Sequence, residues 1–450
     1  MYLEVDLIGQ GVSFAGLFQD GFRAVFGVKT NPMGQTSASF RQEEHPFNES
    51  ISLSEVISAL SFAIDLTEGA VRGHALRSCL LGMRIAYEMG LSSEQKSSLY
   101  YALLLKDIGN EEMIGLRCDR GASIVGKLGM GQMAAEAVRS IEEHWDGTGY
   151  PKRARGERIP LLARVCAVAQ HLDVFSMGRN ADVAIETLEQ WSGTWFDPQI
   201  VRAVMSLNHR GLLWTHCSAT DSNDITRAAV LDLDPQQQQR LDDRQIDRIC
   251  EAFADIVDSK SHFTYRHSMG VAGLAHGIAK RLKLRTDRVQ LVRRAALLHD
   301  IGKLSVANTI LDKKSRLTEV EWKIVEKHPG LTRQILEQIG PFREIAIVAG
   351  EHHEKLDGTG YPNRLLAPDI SIESRIVAVA DVYSALSEDR PYRAGLHSSE
   401  IVSIMRSLAP RKLDADCVDA LVALVTEEQE MEQKFEPVGI VVEELARACA

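Results

Sequence analysis

Five histidines and two aspartates in the second half of the chain have the side-chain types that bind metal ions: His267, His299, Asp300, His328, His352, His353 and Asp381. Neutral imidazole and carboxylate are both ligands, and a mixed set of them favours iron or manganese over a structural zinc site. Their placement argues that they converge. Val289, Val292, Ala296 and His299 recur at steps of three and four, so His299 lies on the apolar stripe of a helix. Asp300 follows at once, and Gly302 is placed to end that helix. His267 shares a stripe with Val271, Leu274, Ala275 and Ile278, and Asp381 shares a face with Val377 and Ala380. Groups of this kind facing a core are costly unless something pairs with them, and a metal ion is the simplest partner. Seven ligands exceed one tetrahedral site and suit two divalent ions sharing a bridging carboxylate.

The elements that must position these residues are helices. Apolar periodicity predicts Leu53–Leu66, Gly73–Met89, Ser93–Ile108, Met133–Glu143, Leu161–Phe175 and Asp197–Leu207 in the first half. A polar stretch from Asn208 to about Gln239, with a short glutamine run, reads as a linker or a helix start. Helices resume with Asp243–Ser259, Tyr265–Leu282, Thr286–Asp300, Thr318–Lys327, Leu331–Ile339, Phe342–His353, Ser371–Leu386, Ser399–Leu408 and Asp414–Thr426. Residues 1–50 hold one alternating stretch, Tyr2–Ile8, that suits a short strand, and carry no assigned function. The expected fold class is all-α, with domains over about 51–225 and 240–450.

The two halves repeat one pattern. Ala102–Asn110, with Lys106-Asp107, matches Ala295–Lys303, with His299-Asp300, and each lies 32 residues after a histidine, His74 or His267. Asp146-Gly-Thr-Gly-Tyr-Pro151 recurs as Asp357-Gly-Thr-Gly-Tyr-Pro362, followed by Ile159–Gln170 and Ile370–Asp381. The first copy is about 18 residues shorter between its Lys-Asp pair and this loop. The differences are informative. Lys106 replaces His299, Ile141-Glu142 replaces His352-His353, Gln170 replaces Asp381, and His328 has no counterpart histidine. His74 and Asp107 alone rarely hold a metal tightly, so the first copy is expected to bind none. His144, His171, His209 and His216 read as ordinary histidines. The Asp-Gly-Thr-Gly-Tyr-Pro segment survives in both copies, so by itself it signals a tight turn as readily as catalysis.

Composition narrows the functional classes. The 450 residues are 45% hydrophobic and 25% charged, as in a globular protein. A net charge of −11 argues against a general binder of nucleic-acid polymers or anionic membranes, though not against a small phosphorylated ligand held by local cations. Seven scattered cysteines form no Cys-x-x-Cys pair, which suits reduced thiols and a cytoplasmic setting. No apolar run is long enough to insert in a membrane, and no signal peptide is evident.

The second copy resembles an HD-GYP domain, a branch of the HD superfamily of metal-dependent phosphohydrolases. The match runs from about His267 to Arg393. It takes in His299-Asp300-Ile-Gly-Lys303, His328-Pro329, His352-His353-Glu354, Asp357-Gly-Thr-Gly-Tyr-Pro362, the Asp381 helix and Asp389-Arg-Pro-Tyr-Arg393. The first copy resembles a degenerate HD-type domain. The resemblance implies an all-α fold and hydrolysis of cyclic di-GMP to the linear dinucleotide or to GMP. It also implies one metal on His267, His299, Asp300 and Asp381, and a second on His328, His352 and His353 with Asp300 bridging. Lys303, Arg390 and Arg393 would hold phosphate, with Asp300 and Lys303 in catalytic roles and Gly360-Tyr361-Pro362 near the substrate. Phe263 stands where some members carry a glutamate for a third metal, so two are expected. Lys314-Ser-Arg316 replaces the usual Lys-Pro-Gly, and Ser384 a second aspartate.

Three other readings compete. Some relatives cleave 3′,3′-cyclic GMP-AMP, which nothing in the sequence separates from cyclic di-GMP. A wider HD phosphohydrolase of another nucleotide is disfavoured by the double histidine and the Gly-Tyr-Pro loop. A non-catalytic cyclic-dinucleotide receptor fits the first copy better than the second. The first copy is therefore read as a regulatory or dimerising partner, with a homodimer among the expected assemblies.

Overall fold

The structure, a computed structural model, describes residues 51–67, 71–109, 114–217, 221–235, 241–260, 267–388 and 394–435. The Tyr2–Ile8 strand, Phe263, Asn110, Arg390 and Arg393 lie outside them. Among the described residues there are helices, turns and isolated bridges but no strand, as the sequence predicts. None of the described helices is long and apolar enough to cross a membrane.

The chain forms two compact units. The first runs to Ala252 and takes in 304–307 and 335–343; the second comprises Phe253–Lys303, Asn308–Gln334 and the chain from Glu344 on. The helices of the first half are α1 (Leu53–Thr67), α2 (His74–Glu88), α3 (Ser93–Leu105), α4 (Ile114–Lys127), α5 (Gln132–Arg139), α6 (Leu161–Gly178), α7 (Ala181–Gln190), α8 (Pro198–His209) and α9 (Asn223–Asp232). Then come α10 (Asp243–Asp258), α11 (His267–Arg281), α12 (Thr286–Leu298), α13 (Asn308–Leu311), α14 (Glu319–Val325), α15 (His328–Leu336), α16 (Arg343–Gly350), α17 (Ile372–Ser387), α18 (Ser398–Leu408) and α19 (Ala415–Phe435).

In each unit the first histidine-bearing helix is the hub. α2 packs on α3 and α6, and α11 packs on α12 and α17. Ala75, Cys79, Ile85 and Ala86 of α2 are buried, as are Val271, Ala275 and Ile278 of α11. The same device orients both hubs. A carboxylate from the preceding helix accepts from the hub's first turn: Asp65 from the Ala75 amide at 3.2 Å, Asp258 from the Ser268 amide at 3.0 Å and the Ser268 hydroxyl at 2.7 Å. Such carboxylates satisfy amides that have no intrahelical partner. Elsewhere side chains start helices, through capping boxes at Ser92–Gln95 and Thr318–Glu321 and an aspartate–proline start at Asp197–Pro198.

Four helices were not anticipated: α4, α7, α9 and the short α13. α4 carries three glycines, which lower helix propensity. α7 and α9 have ten residues each and are begun by side-chain caps, Asn180 and Ser222. α9 lies in the polar stretch read as a linker or a helix start. Gly302 also differs from expectation. It does not cap a helix in the left-handed region: α12 stops at Leu298 and a 3-10 turn covers Ile301–Ser305. Gly302 is required because a Cβ there would collide with the His328 carbonyl.

Candidate metal centre

The seven side chains singled out from sequence converge in the second unit. His267 opens α11, His299 caps the end of α12, Asp300 follows it, His328 opens α15, His352 and His353 follow α16, and Asp381 projects from α17. Six of the seven are buried, and His353 is partly open.

Local geometry fixes which nitrogen each ring presents. His299 Nδ1 donates to the Ala296 carbonyl, His328 Nδ1 to that of Val325 and His352 Nδ1 to that of Ala349, each at 2.7 Å and three residues back. With Nδ1 protonated, every Nε2 keeps its lone pair for the interior. His267 is oriented differently, its Nδ1 facing Glu388 at 2.9 Å and Ser384 at 3.3 Å. Glu388 was missed from sequence. Ser384, where an aspartate was the expected residue, instead bridges His267 and Glu388, its hydroxyl lying 2.8 Å from Glu388.

Asp300 is the centre of the cluster. Its Oδ2 faces His299 Nε2 at 3.4 Å and His267 Nε2 at 4.0 Å, whereas Oδ1 faces His328 Nε2 at 3.2 Å and His352 Nε2 at 3.8 Å. Asp381 closes the first group, with Oδ1 3.2 Å from His267 Nε2 and 3.8 Å from His299 Nε2, and its Oδ2 lies 3.7 Å from His353 Nδ1. Donor atoms of His267, His299 and Asp381 lie within 4.8 Å of one another, as do those of His328, His352 and His353, and those of His299, Asp300 and His352. The residues fit a pair of ions. His299 Nε2 and Asp300 Oδ1 are buried with no hydrogen-bond partner among the described residues, a costly arrangement unless a cation joins them.

The electrostatics point the same way. Burial opposes ionisation of Asp300, but His299 and Lys303 outweigh it and hold the carboxyl well below its usual range. Asp381 behaves likewise, burial being overcome by His267 and His299. Burial pushes His299 down, His352 far down and His353 to about 3, which favours the neutral imidazole, the form that can bind a metal ion. For His267 burial is outweighed by hydrogen bonds with Asp381 and Glu388, and its value rises to about 9.

A threonine holds the two halves of the site in register. The fully buried Thr332 hydroxyl accepts from the Gly302 amide at 3.0 Å and donates to the His299 carbonyl at 2.8 Å. It ties α15, which begins at His328, to the turn carrying His299 and Asp300. Lys303 lies at the edge with its ammonium 2.5 Å from Asp300 Oδ2. The Tyr361 ring packs 4.8 Å from the His353 ring, and the Trp322 indole meets Tyr361 edge-on at 6.4 Å. Glu354 accepts from the Asn363 and Leu365 amides at 2.6 and 2.9 Å and so folds the loop that carries Gly360, Tyr361 and Pro362. Glu143 does the same for Lys152 and Ala154 in the first copy, which makes the loop a shared structural element.

The HD domain family model matches twice, over residues 60–200 and 251–417. The 3′3′-cGAMP-specific phosphodiesterase 3 of Vibrio cholerae is 36% identical over 435 residues, covering 82% of this chain and 94% of that protein. The cyclic di-GMP phosphodiesterase PA4108 of Pseudomonas aeruginosa is 38% identical over 150 residues, covering 33% of this chain and 36% of that protein. Among solved structures, a cyclic GMP-AMP specific phosphodiesterase of V. cholerae (V-cGAP3) superposes with a TM-score of 0.63 at 34% identity, covering 84% of this chain and 98% of that one. The chain therefore belongs to the HD domain family, whose pattern it carries twice, and its relatives are cyclic-dinucleotide phosphodiesterases.

Proposed function

We propose that the second copy hydrolyses a phosphodiester of 3′,3′-cyclic GMP-AMP at a two-metal centre held by His267, His299, Asp300 and Asp381 on one side and His328, His352 and His353 on the other. The observation that carries the reading is Asp300, whose two oxygens face the two histidine groups separately. Imidazole and carboxylate together favour iron or manganese. When bound, such a pair lowers the pKa of a water and neutralises charge on the phosphoryl oxygens. The chain's own residues do the rest. Asp300 sets the spacing of the two groups, and the backbone carbonyls under His299, His328 and His352 fix their tautomers. Lys303 brings a positive charge to the edge of the site, where it can stabilise a developing phosphoryl charge. Tyr361 packs on His353 and supports Trp322, which is 47% exposed and offers an aromatic face to a purine base. Arg390 and Arg393 are proposed as further phosphate contacts from sequence.

The sequence alone favoured cyclic di-GMP. A relative named for 3′3′-cGAMP matches over most of both chains, whereas those named for cyclic di-GMP match over shorter spans, which shifts the reading to cyclic GMP-AMP. The first copy lacks the ligand set and is proposed to act in regulation or assembly. The deciding experiment is turnover of both dinucleotides by the metal-replete protein, alongside its metal content. We expect kcat/KM for cyclic GMP-AMP to exceed that for cyclic di-GMP at least about tenfold. A reversed order overturns the substrate, and turnover of neither overturns the activity.

A further inference from the structure

The first copy keeps the HD-type framework without the donors for a metal, and the question is what neutralises its interior. Lys106 stands where the second copy has His299. Its fully buried ammonium lies 2.6 Å from His74 Nε2 and hydrogen-bonds Asp107 Oδ2. His74 Nδ1 is 2.6 Å from Asp173, which also receives the Arg77 guanidinium at 2.5 Å. The histidine thus donates from Nδ1 and offers its Nε2 lone pair to the lysine, as His267 offers Nε2 to the interior of its own site.

A second cation is found by a matching close approach. In the second copy a Cβ on Gly302 would strike the His328 carbonyl; in the first, a Cβ on Gly109 would strike the Arg117 carbonyl. Gly109 corresponds to Gly302, so Arg117 is the structural counterpart of His328, and the interval between them is shorter by the 18 residues missing from this copy. The Arg117 guanidinium lies 2.5 Å from Glu142, the counterpart of His353. The family's metal pair does not fit here. His352 has become Ile141, Asp381 has become Gln170, and the remaining acids and imidazole already hold protein cations.

We infer that the first copy is a metal-independent HD-type domain in which the Lys106 ammonium and the Arg117 guanidinium take the places of the two metal ions. The partly buried Asp107 carboxylate would be destabilised without a cation beside it, so the buried lysine has the structural role that an ion would have. Burial opposes ionisation of Asp107, yet Lys106 and His74 keep its carboxyl below the usual range.

The test is hydrogen exchange resolved by segment on the full chain, with and without chelator. In the wild-type protein, EDTA should lower protection in α11 and α12 and leave α2 and α3 unchanged. Lys106→Met should reduce protection of α2 and α3 on the order of a hundredfold while leaving metal content unaltered, and Lys106→Arg, which keeps the cation, should retain protection within about tenfold. The inference is overturned if EDTA deprotects α2 and α3 as it does α11 and α12, or if Lys106→Met leaves them unchanged. The chelator arm needs no variant, so a variant that fails to fold leaves the question decidable. Its outcome is also independent of which dinucleotide, if any, the second copy cleaves.

Discussion

Thr332→Val removes a hydroxyl while preserving shape and is the sharpest probe of how the metal centre is built. The hydroxyl makes two hydrogen bonds in a fully buried position, to the Gly302 amide and the His299 carbonyl. At roughly 1–2 kcal/mol for each buried bond, the second unit should lose about 2–4 kcal/mol. For a unit of this size that corresponds to a fall in unfolding midpoint of roughly 5–15 °C. The same bonds set the distance from His328 to the His299-Asp300 turn, so metal affinity should fall about 10- to 100-fold, as is usual for groups that orient ligands. Titration against a competing chelator and calorimetry of the metal-saturated protein measure the two effects. Thr332→Ser keeps the hydroxyl and should restore most of both. Metal affinity within about twofold of wild type for Thr332→Val would show that something other than this hydroxyl sets the spacing of the two groups.

Asp300→Ala removes the carboxylate whose two oxygens face the two histidine groups separately. It should take metal content from about two ions per chain to near zero while leaving helical circular dichroism in place, and retention of both ions would refute the bridging role. Trp322→Ala should raise KM about tenfold with kcat within about threefold, since stacking of a base contributes roughly 1–3 kcal/mol; an unchanged KM removes the indole from the substrate site. His171 gives a pH test in the first copy. Burial, among the rings of Phe175, Trp191 and Phe196, depresses its value to about 3. The unfolded chain then binds the extra proton between about pH 6.5 and 3, so stability is present above that window and is lost as pH falls through it. At pH 5 the penalty is about 2 kcal/mol, and His171→Phe should escape it. Its midpoint relative to wild type should rise by roughly 4–8 °C between pH 7 and pH 5; a difference that does not vary with pH would sink the idea.

The candidate metal ligands were legible because the chain carries its own control. His299, His352, His353 and Asp381 stand out where Lys106, Ile141, Glu142 and Gln170 replace them in an otherwise repeated pattern. Apolar periodicity also placed most helices to within a few residues, because the stripes of α2, α11 and α17 are core-facing. What escaped sequence reading depends on partners remote in the chain. Thr332 gains its role from Gly302, thirty residues away, and Glu388 from His267, 121 residues away. Arg117 could not be aligned with His328 without the collision geometry at Gly109 and Gly302. α4 was hidden by Gly115, Gly121 and Gly126, of which Gly121 admits the Val138 side chain. α9 was hidden by its polar composition, which suits a surface helix as well as a linker.

The three backbone-tied histidines share a location as well as a tautomer. The carbonyls of Ala296, Val325 and Ala349 belong to the closing turns of α12, α14 and α16, where the helix supplies no amide to satisfy them. Each imidazole N–H completes the hydrogen bonding of a helix end, so ending the helix and presenting the ligand are a single conformational event. Helix ends of this kind carry partial negative charge, and three of them border the centre. The backbone therefore contributes to the attraction for a cation, and that contribution does not titrate. Adding one residue before any of these histidines would turn its ring away by roughly 100° and uncap the helix in the same stroke. A change in chain length at any of these three helix ends would therefore disturb the helix and the ligand together.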